Sequence, residues 1–150
     1  MHASDGTTDC LFVYGTLMPQ SRHPMAMRLA AESTDLGPAT ICGQLYNLGA
    51  YPGALPSTDP HDRVYGNRVH GVIMKLHRPP HSLRWIDTYE GCGDHDAEPY
   101  GFERVIVRAR QMARRQLPVW VYYYRGLLGN ARRLQSGRYY PAKSLVRLRS

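Results

Sequence analysis

No stretch of this 150-residue chain approaches the ~18 consecutive apolar residues that a membrane-spanning helix needs. The first ten residues, MHASDGTTDC, lack the basic start and apolar run of a secretory leader. Cysteine is scarce: Cys10, Cys42 and Cys92 cannot all pair within the chain, and none belongs to a CxxC motif. These absences point to a reduced, cytoplasmic setting with no membrane partner. Familiar catalytic signatures are missing as well. There is no GxSxG elbow and no GxxxxGKS/T phosphate loop. His77 and His81 stand four apart, but Pro79 and Pro80 lie between them, which excludes a helix-borne zinc pair.

Acidic residues almost vanish from the last third. Residues 1–100 hold 7 basic and 11 acidic side chains, a net of −4; residues 101–150 hold 12 basic and one acidic, a net of +11, which together give the overall +7. Such asymmetry raises nucleic acid or an anionic membrane as a partner. The alternative is that the two halves lie against each other in one fold. The 43% hydrophobic content supplies a core and excludes a disordered chain. The length suits a single domain over residues 1–150, with residues 1–9 as a loose polar tail.

Cys10 to Tyr14 is an unbroken apolar run that suits a buried strand. Cys10 there, and Cys42 in the next strand-like run, read as structural thiols. Ser21 can cap a helix running to about Ala31. Ala39 to Leu48 reads as a strand or hairpin arm, and Tyr51-Pro52-Gly53 as a loop. Arg68 to Leu76 alternates as a strand does. Pro79-Pro80 stops it, and a short helix covers His81 to Glu90, ended by Gly91. In Phe102 to Arg110, Val105, Val107 and Ala109 face one way while Arg104, Arg108 and Arg110 form a solvated basic face. Val119 to Tyr124 is a β-branched and aromatic strand. Mostly strands with two short helices argue a mixed α+β fold around a small sheet or barrel.

Four groups of residues can carry chemistry. Tyr14-Gly15-Thr16-Leu17 follows the first strand, and the N–H groups of such a turn can form a concave anion site. Glu90 shares a helix face with Leu83 and Ile86, so it points toward the core. Desolvation and the negative end of the helix dipole would both raise its pKa, as suits a general base. The competing reading is a frayed last turn with Glu90 in solvent. Asp94, His95, Asp96 and Glu98 fall in a loop without metal-ligand spacing and read as a solvated acidic segment. Trp120, Tyr122, Tyr123 and Tyr124, with Tyr139 and Tyr140 beyond them, can pack in a core, line a pocket or stack on nucleic acid.

Val13-Tyr14-Gly15-Thr16-Leu17 and Asp87-Thr88-Tyr89-Glu90-Gly91, in this order and spacing, resemble the γ-glutamylcyclotransferase-like family in its AIG2-like branch. The resemblance covers residues 10–140. It implies a small mixed β-barrel-like sheet with flanking short helices and a pocket at one side. It also implies conversion of a γ-glutamyl amine or γ-glutamyl amino acid to 5-oxoproline, without metal or organic cofactor. Glu90 becomes the acid/base residue, and Tyr14, Gly15, Thr16 and Leu17 hold the γ-glutamyl group. Gly53, Tyr100 and Tyr124 complete the substrate-binding set. The family's tyrosine after the glutamate aligns best with Phe102, and Tyr100 lies two residues earlier. Thr16 points away from the glutathione-degrading branch, which shows YGSL. Members without activity leave open a silent binding module of the same fold. A nucleic-acid binder using Arg114, Arg115, Arg132 and Arg133 is a third reading.

Overall fold

The computed structural model describes residues 7–57, 66–91, 101–112 and 115–140. In chain order these form β1 (Cys10–Val13), a 3-10 turn (Pro19–Ser21), α1 (Pro24–Ala31), β2 (Ser33–Cys42), β3 (Gln44–Asn47), β4 (Pro52–Leu55), β5 (Arg68–Leu76), α2 (Pro79–Glu90), β6 (Phe102–Arg110), β7 (Gln116–Tyr124) and β8 (Arg132–Arg133).

Five strands form a barrel-like sheet. The order β1-β5-β2-β6-β7 is antiparallel throughout. A parallel bridge from Leu11 to Trp120 returns β7 to β1. The β3–β4 hairpin continues the sheet from β7 through Ala54 and Tyr123, and β8 lies against β3.

Strand alternation makes two cores. Phe12, Ile41, Val69, Ile73, Val119 and Val121 point into the barrel and are almost wholly buried. The intervening Leu11, Val13, Met74, Leu76 and Tyr122 point outward, where Leu29 of α1 and Leu83 and Ile86 of α2 cover them. Burying each such aliphatic side chain contributes ~1.5–3 kcal/mol. The two helices are also tied to each other: Ser82 Oγ and Trp85 Nε1 donate to Glu32 at 2.6 and 2.9 Å.

The mixed α+β architecture, the two helices and the strands Arg68–Leu76 and Phe102–Arg110 match the expectations from the sequence. Several local readings are corrected. The first helix begins at Pro24, and its cap is His23, whose Nδ1 accepts from Met25 N at 3.0 Å. Ser21 instead donates to Thr16 O. Pro79 and Pro80 open α2, because a first turn needs no N–H from either residue. Pro52 and Gly53 belong to β4, which no local alternation reveals in four residues. Thr8 and Asp9 are not a loose tail: Thr8 donates to Pro118 O and accepts from Trp120 Nε1, and Asp9 O accepts from Leu76 N. Cys10 is buried, whereas Cys42 is only half-buried.

Candidate active site

The C-terminal end of α2 sits beside the turn that leaves β1. Gly91 ends the helix at φ 75°, where a glycine is unstrained, and its N–H donates to Thr88 O at 3.1 Å. This stop leaves Glu90 as the last helical residue, in register with buried Leu83 and Ile86. The turn is held by Met18 N donating to Gly15 O at 3.0 Å. Turn and helix meet where the Thr16 hydroxyl and the Tyr89 phenol lie 2.8 Å apart.

Glu90 faces a pocket of about 400 Å³ walled by Thr16, His23, Ala50, Tyr51, Tyr89 and Phe102. Its walls are aromatic: Tyr51 and Phe102 have ring centroids 5.9 Å apart, and His23 meets Tyr89 edge-on at 5.6 Å. A narrower recess of about 30 Å³ shares Thr16, Tyr51 and Glu90 with this pocket and reaches Gly15, Leu17 and Tyr122. It has room for a water or a carbonyl oxygen. The N–H groups of Gly15, Thr16 and Leu17 donate to no described residue, so they are available to a ligand oxygen there.

Burial pushes the Glu90 carboxyl up to about 8, and the negative charge of Asp87 one turn earlier adds to the rise. Asp87 is itself engaged. It takes two hydrogen bonds from Arg104, at 2.7 and 2.9 Å, and one from the Tyr122 hydroxyl at 2.6 Å. The Arg104 guanidinium in turn lies 4.3 Å over the Trp120 ring. Arg104 is therefore no part of a solvated basic face. It is the clamp that holds α2 on β6 and β7, and this correction removes one charge from the apparent excess of the last third.

The remaining candidates fall into three groups. Tyr14, Gly15, Thr16 and Leu17 all line the Glu90 recess. The Tyr14 side chain points into the barrel, donating to Tyr122 O at 2.6 Å and accepting from Ala54 N at 3.0 Å. Gly53 and Tyr124 pack together beside the pocket: a Cβ at Gly53 would lie 2.8 Å from Tyr124 Cβ. The Tyr124 ring meets Phe102 edge-on at 5.4 Å, and its hydroxyl donates to Leu127 O. Tyr100, Cys92, Arg114 and the acidic segment Asp94 to Glu98 lie outside the described residues. Among the described residues no cluster of His, Cys, Asp and Glu is arranged to hold a metal ion. Likewise, none of the described helices is long and apolar enough to cross a membrane.

The sequence assigns no role to Tyr89 or His23, and it leaves Tyr122 open between core, pocket and stacking. Tyr89 was adjacent to the chosen glutamate, and one residue's offset on a helix end does not say which side chains share a pocket. Tyr122 differs from its neighbour Tyr123 only in strand parity, and parity needed the barrel's inside and outside to be known.

This turn-and-helix-end geometry coincides with the pair of motifs at Tyr14–Leu17 and Asp87–Gly91. A family model described as gamma-glutamyl cyclotransferase, AIG2-like, matches residues 11–141. The chain belongs to that family. No curated protein matches the chain. Among solved structures, the AIG2-like fold recurs in YkqA from Bacillus subtilis, with a TM-score of 0.63, 17% identity and coverage of 95% of this chain and 43% of YkqA. The Escherichia coli protein ytfP superimposes with a TM-score of 0.56 and 23% identity over 87% of this chain and 95% of its own. An aig2-like protein from Mus musculus gives a TM-score of 0.56 and 19% identity, covering 77% of this chain and 76% of that one. This chain spans less than half of YkqA but nearly all of ytfP. At these identities the likeness is one of fold.

Proposed function

We propose that the protein is a cyclotransferase that converts a γ-glutamyl amine or γ-glutamyl amino acid to 5-oxoproline and the free amine. The observation that carries this reading is a raised carboxyl, Glu90, lining one narrow recess with Gly15, Thr16 and Leu17, whose N–H groups donate to no described residue.

The substrate brings its own nucleophile. A bond forms between its α-nitrogen and its γ-carbonyl carbon, and the bond from that carbon to the leaving nitrogen breaks. Tethering makes ring closure a matter of orientation. Glu90 takes a proton from the α-ammonium and returns one to the departing amine. An α-amino group ordinarily titrates at ~8. Glu90, raised to about 8, is matched to it, so the proton moves with little cost in either direction. The N–H groups of Gly15, Thr16 and Leu17 receive the γ-carbonyl oxygen as it gains charge. The aromatic walls at Tyr51, Tyr89 and Phe102 take the departing amine and keep water from the carbonyl.

The test is 5-oxoproline release from a panel of γ-glutamyl amines and γ-glutamyl dipeptides. Release that Glu90→Gln abolishes supports the assignment. Full turnover by that variant would sink the role of Glu90, and silence across the whole panel would sink the reaction.

A further inference from the structure

A cavity of about 570 Å³ lies away from Glu90. It lies on the outer face of β2, β5 and β6 around Thr40, His70 and Arg110, and no residue of either helix lines it. Three cross-strand partners make its floor. Thr40 of β2 stands opposite His70 of β5 on one side and Arg110 of β6 on the other. Directly paired residues present their side chains to the same face, so His70, Thr40 and Arg110 form one polar row. Arg68 closes one end of the row, donating from Nε to Thr40 Oγ1 at 3.0 Å and from Nη2 to Thr40 O at 3.1 Å.

The other wall is the segment after β8. Gly137 sits at φ 72°, and His70 N donates to its carbonyl at 2.8 Å. A Cβ there would lie 2.0 Å from Arg68 O, so only glycine lets the segment come this close to β5. The close approach carries Arg138, Tyr139 and Tyr140 over the row, where all three line the cavity.

The charges are of one sign. Burial, Arg138 and Arg68 together hold His70 below its ordinary range, and burial and Arg110 do the same to Arg68. In both, burial is the larger cause and the neighbouring guanidinium groups add to it. Among the described residues no Asp or Glu lines the cavity. A cluster of this kind is stabilised by an anion, and guanidinium groups match the oxygens of a phosphate in two-point contacts.

We propose that this cleft is a second binding site, separate from the Glu90 pocket, for a small molecule carrying a phosphate group. Arg138 grips the phosphate from the wall, and Arg110, His70 and Thr40 donate from the floor. Tyr139 and Tyr140 line the mouth, where the rest of the ligand emerges. The site accounts for part of the basic excess of the last third, which the Glu90 pocket leaves unused.

The experiment is calorimetric titration of the full chain at low and moderate salt with inorganic phosphate, adenosine monophosphate, adenosine, succinate and a single-stranded oligonucleotide. Saturable binding of phosphate and adenosine monophosphate is expected, with adenosine inert and succinate weaker. Arg110→Ala and Arg138→Ala should each weaken binding about tenfold or more, the range of a charge-assisted contact. Arg108→Ala, an exposed arginine that does not line this cavity, should leave it unchanged. Because Arg138 is exposed, its removal leaves the fold intact, and 5-oxoproline release by Arg138→Ala should equal that of the parent. The proposal is overturned if phosphate does not bind, if both arginine variants bind as the parent does, or if succinate binds as well as phosphate. Affinity for the oligonucleotide that rises with its length and far exceeds that for the monophosphate would also overturn it, in favour of a nucleic-acid surface.

Discussion

Arg104 grips Asp87 through both carboxylate oxygens, at 2.7 and 2.9 Å, one helical turn before Glu90. The pair fixes where α2 ends relative to the barrel, and it sets the charge that Glu90 experiences. Asp87→Asn should cost ~1–3 kcal/mol, because it leaves a largely buried guanidinium without its counter-charge. It also removes a negative charge that raises Glu90, so the Glu90 titration should move to lower pH. Thermal unfolding checks the first effect. The pH dependence of 5-oxoproline release checks the second, and an unshifted profile would contradict it.

Glu90 makes the fold and the reaction respond oppositely to pH. As a base, Glu90 must be ionised, so kcat/KM should rise with pH along a limb centred near 8. A limb at the ordinary carboxylate value of ~4.3 would refute the environment described. For stability, a carboxyl raised in the fold favours the folded state fully below its unfolded value. That contribution is lost as pH rises through about 8. Glu90→Gln should therefore unfold at a higher temperature than the parent at pH 8, by on the order of 1–2 kcal/mol in stability. The difference should vanish near pH 4.

Tyr14 lines the Glu90 recess, but its hydroxyl is already engaged, donating to Tyr122 O and accepting from Ala54 N. Tyr14→Phe strips the partner from Tyr122 O and from Ala54 N, both buried, at a cost of ~1–3 kcal/mol. Turnover per folded molecule should stay within a few-fold of the parent. A large fall in kcat with unchanged thermal stability would instead put this hydroxyl at the reaction.

Gly53 has no space for a side chain. A Cβ would lie 2.7 Å from Leu48 Cδ1 and 2.8 Å from Tyr124 Cβ. Gly53→Ala should destabilise by ~1–3 kcal/mol through overpacking. The measurement is denaturant unfolding, and a variant as stable as the parent would show that Tyr124 can yield.

What could be read from the sequence was what depends on neighbours along the chain. Strong alternation at Phe102–Arg110 and Arg68–Leu76 marked those strands correctly, and the spacing of Leu83, Ile86 and Glu90 turned the glutamate inward. What could not be read depended on residues far apart. Arg104 looks solvated until α2 is known to lie across it. Pro79 and Pro80 break a strand and begin a helix with the same two rings, and only the helix that follows decides which role a reader notices.

The Leu11–Trp120 bridge has a consequence for how the chain folds. Thr8 binds Pro118 across 110 residues of sequence, and Tyr14 binds Tyr122 across 108. Of the strands of this barrel, β1 is made before all the others yet completed late, because β7 must exist before β1 has its second neighbour. Contacts of such long range slow folding. Until β7 arrives, β1 and its apolar run from Cys10 to Val13 present an open strand edge, exposed to other chains. The same bridge that seals the finished barrel is absent from a chain cut short before Trp120, which should aggregate rather than fold.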